Sequence, residues 1–187
     1  MFTIENERFA IPLEYAAGAK LFNVVVDDDN TCRLLLQRKC FDTKVFMIPL
    51  NKITSKVIPE NHLKIIYENF GNEAKLALDL IQYDKKYESA MQFIFGNTII
   101  CSTSEICKKI AYNNSFGLRC VNMEGDIFEP MGTMSGGSMQ KGDNLIVKVQ
   151  ELNFLQSKIK EIRLAIVDLK NQLSEINDTS NNQFLKL

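Results

Sequence analysis

One pattern of strand, capped helix and strand occurs twice in the chain, and its two copies stand 75 residues apart. The first copy opens with "LFNVVVD" (Leu21–Asp27), an apolar, β-branched run closed by an acidic turn, which reads as a buried strand. Asp29 or Asn30 can cap the helix that follows, "TCRLLLQRK", with Cys32, Leu35 and Leu36 on its buried face. "KVFMIPL" (Lys44–Leu50) is the second strand, stopped at Pro49, which has no N–H to give a ladder. The second copy reads "NTIIC", then "SEICKKIAYNN" with a serine cap, then "LRCVNM". Val24 aligns with Ile99, Cys32 with Cys107, Leu35 with Ile110, Phe41 with Phe116 and Val45 with Cys120, each pair differing by 75. A glycine, Gly18 or Gly96, ends the helix ahead of each copy. Such a repeat predicts two similar α/β lobes.

Between the copies the pattern predicts a helix over about Glu60–Phe70, a strand over about Lys75–Tyr83 and a helix over Lys85–Phe95. Phe2–Ile4 reads as an edge strand. The organisation expected is a first lobe over 1–56, a connecting helix and strand over 57–83, a second lobe over 84–142 and a different element over 143–187.

That last element has no glycine or proline. Its apolar residues Leu155, Ile159, Ile162, Ile166, Leu169, Leu173 and Ile176 step by fours and threes, a heptad seam flanked by Lys158, Glu161, Arg163 and Lys170. Leu145, Val149 and Leu152 keep the rhythm upstream, with one three-residue slip before Leu155. An amphipathic helix packed on its own domain would be shorter and show a broader apolar face, so the seam favours a coiled coil. The chain has no second heptad segment, so the partner helix must lie outside it or in another copy.

Composition removes several classes of function. A net charge of -1 argues against a strongly basic nucleic-acid-binding domain and leaves room only for a local patch. Five cysteines include no C-x-x-C pair, and most sit in apolar runs, where a thiol behaves as a small hydrophobe. With no signal peptide and no apolar run long enough to span a bilayer, a reducing interior compartment is the natural reading. His62 is the single histidine, which excludes a multi-histidine metal site. Asp27, Asp28 and Asp29 point in different directions along the chain and suit a solvated turn better than a cation. No cofactor is called for, and no enzyme.

The stretch "GDIFEPMGTMSGGS" (Gly125–Ser138) comes close to two nucleotide-binding signatures. Against G-x-x-x-x-G-K-[ST], Gly132 and Gly137 match, but Ser138 stands where the lysine belongs, and without that charge the terminal phosphates are not stabilised. Against an L-S-G-G-Q signature only the S-G-G core fits. Glycine also permits φ > 0 and close backbone approach, so Gly132, Gly136 and Gly137 around "TMS" serve either a tight internal turn or an edge strand that pairs with another chain.

Taken in order, "LEYAAGAKLFNVVVDD", "FMIPLNKI", "YESAMQFIFGNTIIC" and "VNMEGDIFEPMGTMSGGS", followed by a heptad helix, resemble the hinge domain of the SMC (structural maintenance of chromosomes) family. The resemblance runs from the first residues to about Ser138 and is most similar to the subunit 2 branch, a condensin component. It implies a fold of two similar α/β lobes (α/β, or α+β) forming a half-ring, followed by the start of a coiled-coil arm. It implies a dimerisation module whose partner is the hinge of condensin SMC subunit 4, closing a ring that condenses mitotic chromosomes in the nucleus and cytoplasm. The ATPase heads would lie elsewhere in a full-length chain, and this segment would be an excised hinge with one arm helix retained. The family's P-G-G-x-x-[ST]-G-G glycines fall on Met131, Gly132, Gly136 and Gly137, so Met131 departs from the pattern. The resemblance thus places the dimer interface on Met131, Gly132, Thr133, Met134, Ser135, Gly136 and Gly137. An isolated hinge could also pair with its own copy. The alternative role is contact with single-stranded DNA near the hinge–arm junction, through Lys108, Lys109, Lys141 and Lys148.

Overall fold

The computed structural model describes residues 2–137 and 144–184, with side chains as far as residue 174. By compactness the chain divides into Met1–Ile146 and Val147–Leu187. Among the described residues no helix is long and apolar enough to cross a membrane.

Both copies of the repeat form the same unit. In the first, β2 (Val24–Val26), α2 (Asp29–Gln37) and β3 (Met47–Pro49) make a parallel pair joined by a helix. In the second, β6 (Thr98–Cys101), α5 (Ser104–Ala111) and β7 (Arg119–Asn122) do the same. The caps repeat too, at Asp28 and Thr103, each accepting from the backbone N–H three residues on, at Thr31 and Ile106. A cap side chain satisfies an orphan N–H of the first turn. Asp28 therefore takes the role expected of Asp29 or Asn30, and Thr103 the role expected of a serine; the residue before the first helical N–H groups is the one that can reach them.

The 75-residue register holds through the helices and slips in the strand that follows. Ile99 stands beside Cys120, whereas its counterpart Val24 stands beside Met47. Met47, not Val45, is thus the counterpart of Cys120, because the first connection is two residues longer (47 − 24 against 120 − 99).

The lobes differ most in cover. The second owns a five-stranded sheet, ordered β4 (Ala74–Leu76), β6, β7, β8 (Ile127–Phe128), β9 (Met134–Ser135). The β6–β7 pair is parallel and the other neighbours are antiparallel. Along β6 successive side chains point to opposite faces. Ile99 and Cys101 join Ile66 of α3 (Glu60–Phe70) and Ile106, Cys107 and Ile110 of α5 in one core. The opposite face meets α1 (Ala10–Ala17), which packs on β6, β7 and α4 (Glu88–Phe95) and buries Leu13, Ala16 and Ala17. With both faces covered, "TIIC" is buried throughout, its one polar residue, Thr98, included.

The first lobe's sheet has only β2 and β3. Its strand β2 is half-buried throughout, and α2 buries no residue. Cys32 and Leu35 are half-buried and Leu36 is 61% exposed, against the expectation that all three are covered; two strands are too narrow a platform to enclose the helix. The strand expected over Lys75–Tyr83 is in fact two, β4 and β5 (Ile81–Tyr83), separated by a 3-10 turn at Ala77–Leu80. β5 pairs antiparallel with β1 (Phe2–Ile4).

The final helix, α6, runs Leu145–Phe184. Its first residues belong to the hinge unit: the Leu145 N–H donates to the Glu14 carboxylate at 2.8 Å, and Ile146 is buried. From Glu151 to Ser174 every side chain is exposed.

Candidate functional site

The glycine-rich stretch closes the five-stranded sheet as a hairpin, β8 to β9. The Gly132 N–H donates to Glu129 C=O at 3.0 Å and the Glu129 N–H to Thr133 C=O at 2.9 Å, with Pro130 and Met131 at the turn's centre. Pro130 suits the first central position of such a turn, and Gly132 holds φ +93°, which a glycine adopts without a Cβ clash. Met131 projects from the tip, 94% exposed. It sits in the turn rather than along the strand edge, so its side chain does not stand between the backbone of β9 and a neighbour.

The three glycines differ in setting. Gly132 serves the turn. At Gly136 a Cβ would lie 2.0 Å from Asp126 Oδ1, so the bare backbone makes room for that carboxylate. At Gly137 a Cβ would meet nothing within 4 Å. Ser138 and Lys141 lie outside the described residues.

Asp126 is held in place by Asn122, a buried polar residue at the end of β7. The Asn122 Nδ2 donates to Asp126 Oδ2 at 2.8 Å and to Ser104 Oγ at 2.9 Å, while its Oδ1 accepts from the N–H groups of Glu124 and Asp126. All four hydrogen-bonding capacities of the amide are used, as burial demands. Neither residue was singled out from sequence, although an asparagine four residues before an aspartate across "MEG" is a legible side-chain turn signal.

The register of the hairpin fixes which backbone groups are free. Glu129 and Thr133 are a hydrogen-bonded pair, so in an antiparallel ladder Phe128 and Met134 are not, and Ile127 and Ser135 are again. The N–H and C=O of Met134 therefore point away from β8, along the outer edge of the sheet. Both residues of β9 are exposed.

The first lobe has a matching vacancy. Val24 N–H donates to Phe46 C=O and Leu50 N–H to Val26 C=O, so residues 46, 48 and 50 face β2 while Met47 and Pro49 face outward. Cys120, the counterpart of Met47, faces β8 and pairs there with Phe128. The backbone groups of Met47 have no neighbouring strand among the described residues. Pro49 has no N–H, and its C=O accepts from Lys52 and Ile53. Phe46 beside this edge is 65% exposed.

Lys108 and Lys109 are exposed on the last turn of α5, and Lys148 is exposed on α6. Leu155, Ile159, Ile162, Ile166, Leu169 and Leu173 are exposed along α6, while the side chain of Ile176 lies outside the described residues. Asp28 is the cap of α2, and the hydrogen bond from the Thr31 N–H lowers its pKa. Asp29 accepts from Asn51 Nδ2 at 2.7 Å, and Asp27 pairs with Lys86 at 3.5 Å. His62 packs its ring on Phe116, 5.8 Å between centroids. Cys101, Cys107 and Cys120 are fully buried, and hydrogen bonds with neighbouring thiols, then burial, hold Cys101 and Cys120 above the ordinary thiol pKa. Among the described residues no group of histidine, cysteine or acidic side chains is arranged to hold a metal ion.

Comparison with known proteins agrees with this architecture. A family model described as "SMC proteins Flexible Hinge Domain" matches residues 1–111. Structural maintenance of chromosomes protein 2 of Schizosaccharomyces pombe is 35% identical over 189 residues, covering 100% of this chain and 16% of that protein. The protein of the same name from Saccharomyces cerevisiae is 38% identical over 165 residues, covering 87% of this chain and 14% of that one. The chain thus spans about a sixth or less of the length of these relatives. Among solved structures, an SMC hinge domain of Geobacillus stearothermophilus superposes with a TM-score of 0.71 over 91% of this chain and 69% of its own, at 22% identity, a likeness of fold. With more than half of its residues matched by the family model, this chain belongs to the SMC hinge family.

Proposed function

We propose that this chain is the hinge of a condensin SMC subunit 2 and acts as a dimerisation module, not an enzyme. Its native partner is the hinge of SMC subunit 4, and the pair closes the far end of a ring that organises chromosomes in the dividing nucleus. The observation that carries this reading is the outer edge of β9. There the N–H and C=O of Met134 point away from the sheet, on a strand whose side chains are exposed and whose flanking Gly137 leaves open space. An edge of that kind is a template for strand addition from another chain.

The receiving edge is that of β3, where a partner strand would occupy the place that β8 takes in the second lobe. Met47 supplies the free backbone groups, and Pro49 confines the ladder to a short stretch. Met131 at the turn tip, in place of the family's glycine, leaves this ladder unobstructed.

Met134→Pro tests the reading. Proline removes the outward N–H and nothing that bonds to β8, so the hairpin keeps its own ladder. The loss of one interchain hydrogen bond, with the ring obstructing its neighbours, weakens hinge pairing by about tenfold or more while thermal unfolding of the lone chain is unchanged. Pairing at wild-type affinity places the interface elsewhere.

A further inference from the structure

The strand β9 is two residues long and both of its side chains are in solvent, so packing does not hold it in position. Its ladder to β8 holds it, and at the turn end of that hairpin a single guanidinium joins elements more than a hundred residues apart. Arg119, on β7, donates from Nη1 to Ala16 C=O at 2.7 Å and from Nη2 to Tyr15 C=O at 3.4 Å. Its Nε stands 2.9 Å from Glu129 Oε1, an ion pair in which the N–H is not aligned for a hydrogen bond. Tyr15 and Ala16 are in the last turn of α1, where carbonyls lack intrahelical partners and the helix dipole favours a cation. Glu129 is the residue whose N–H and C=O close the hairpin turn. The Arg119 side chain is 23% exposed, buried enough for these contacts to be less screened than a surface pair.

A second contact joins α1 to the turn at the other end of β8. At Gly125, in the turn before β8, a Cβ would lie 2.6 Å from the Tyr15 ring, so the glycine lets α1 and this turn meet closely. Nearby, burial first and the Arg119 charge second lower the pKa of Lys20, whose Nζ donates to Phe93 C=O at 3.2 Å. The chain thus places a second cation beside Arg119 rather than an acid that could draw it away from Glu129.

We propose that Arg119 is a positioning residue of the pairing edge: it fixes the turn end of the β8–β9 hairpin to the C-terminal end of α1, and so sets where the edge of β9 stands. The inference rests on the pairing reading above and adds to it a residue that touches no partner. Its consequence is that pairing depends on α1, an element distant from the interface in sequence.

The experiment compares Arg119→Met, Arg119→Lys and Glu129→Gln with the wild-type chain. One arm follows amide exchange at Glu129, Gly132 and Ser135 in the lone chain at a concentration too low for pairing. The other measures the affinity for the subunit 4 hinge and for a second copy. Arg119→Met is expected to speed exchange at these amides and to weaken pairing by about tenfold, Arg119→Lys to restore part of both, and Glu129→Gln to shift both in the same direction by less. Should Arg119→Met fail to fold, Glu129→Gln decides, since it leaves both α1 carbonyls bonded. Wild-type exchange at the three amides in Glu129→Gln and Arg119→Met overturns the proposal, as does faster exchange with unchanged pairing. If the wild-type chain pairs with neither probe, the pairing reading fails, while the exchange arm still decides whether Arg119 holds the hairpin.

Discussion

Thr103 and Asp28 occupy equivalent places in the two units, and each gives its side chain to a backbone N–H of the helix that follows. Their settings differ. The helix behind Thr103 buries Ile106, Cys107, Ile110 and Ala111, whereas the helix behind Asp28 buries nothing. Loss of the Thr103 cap therefore frays a helix that the main core depends on. Thr103→Ala is expected to lower unfolding stability in urea by about 1 kcal/mol, and an unchanged midpoint would show that the hydroxyl contributes no net capping. At this scale the sequence indicated caps in the right turns and missed them by one or two positions, because aspartates, asparagine, serine and threonine all cap and adjacent ones compete. The glycines were less legible still. A glycine shows that a Cβ is unwelcome, but not whether a turn, a carboxylate or another chain excludes it. Gly132 holds a turn at φ +93° and Gly136 leaves room for a carboxylate, whereas Gly137 is surrounded by open space with no such use in the turn.

Among the elements, the strand–helix–strand repeat was legible because both its halves obey the same periodicities and both helices begin with a capping residue. The slip from Val45 to Met47 was not, since loop length leaves no apolar pattern to count. Nor was the uneven burial of the two lobes. Leu35 on α2 and Ile110 on α5 hold equivalent places in the repeat, yet one is half-buried and the other fully buried, and the difference lies in how many strands stand beneath each helix. The break between β4 and β5 escaped notice because "AKLALDLIQY" keeps apolar residues at strand spacing across the 3-10 turn. For α6 the heptad was plain, and its seam is exposed from Leu155 to Leu173. Helices of this kind gain most of their stability from covering such a face. Amide exchange over residues 155–173 is expected to slow as chain concentration rises, and Ile162→Asp with Ile166→Asp to abolish that slowing. Exchange that is slow and independent of concentration in a monomer would mean that the seam needs no partner.

For the molecule as a whole, the family resemblance joined the motifs into a function that no single motif carries. Bottom-up reading alone left the loop divided between turn and interface, and the structure shows the turn with an open strand edge beside it. The hairpin turn, the Asn122–Asp126 network and Arg119 serve the chain's own fold, and the backbone of Met134 is left over at an edge. In the first lobe Met47 is left over in the same way. Two open edges on one chain are what a head-to-tail exchange of strands between two hinges requires, and pairing both at once makes the assembly tighter than either contact alone. The most direct test is the mass in solution of this chain, measured by sedimentation alone and mixed in equal amounts with a condensin subunit 4 hinge. The account predicts a one-to-one complex that persists on dilution below the concentration at which any homodimer of this chain dissociates. Two species that sediment independently at every concentration tried would contradict it.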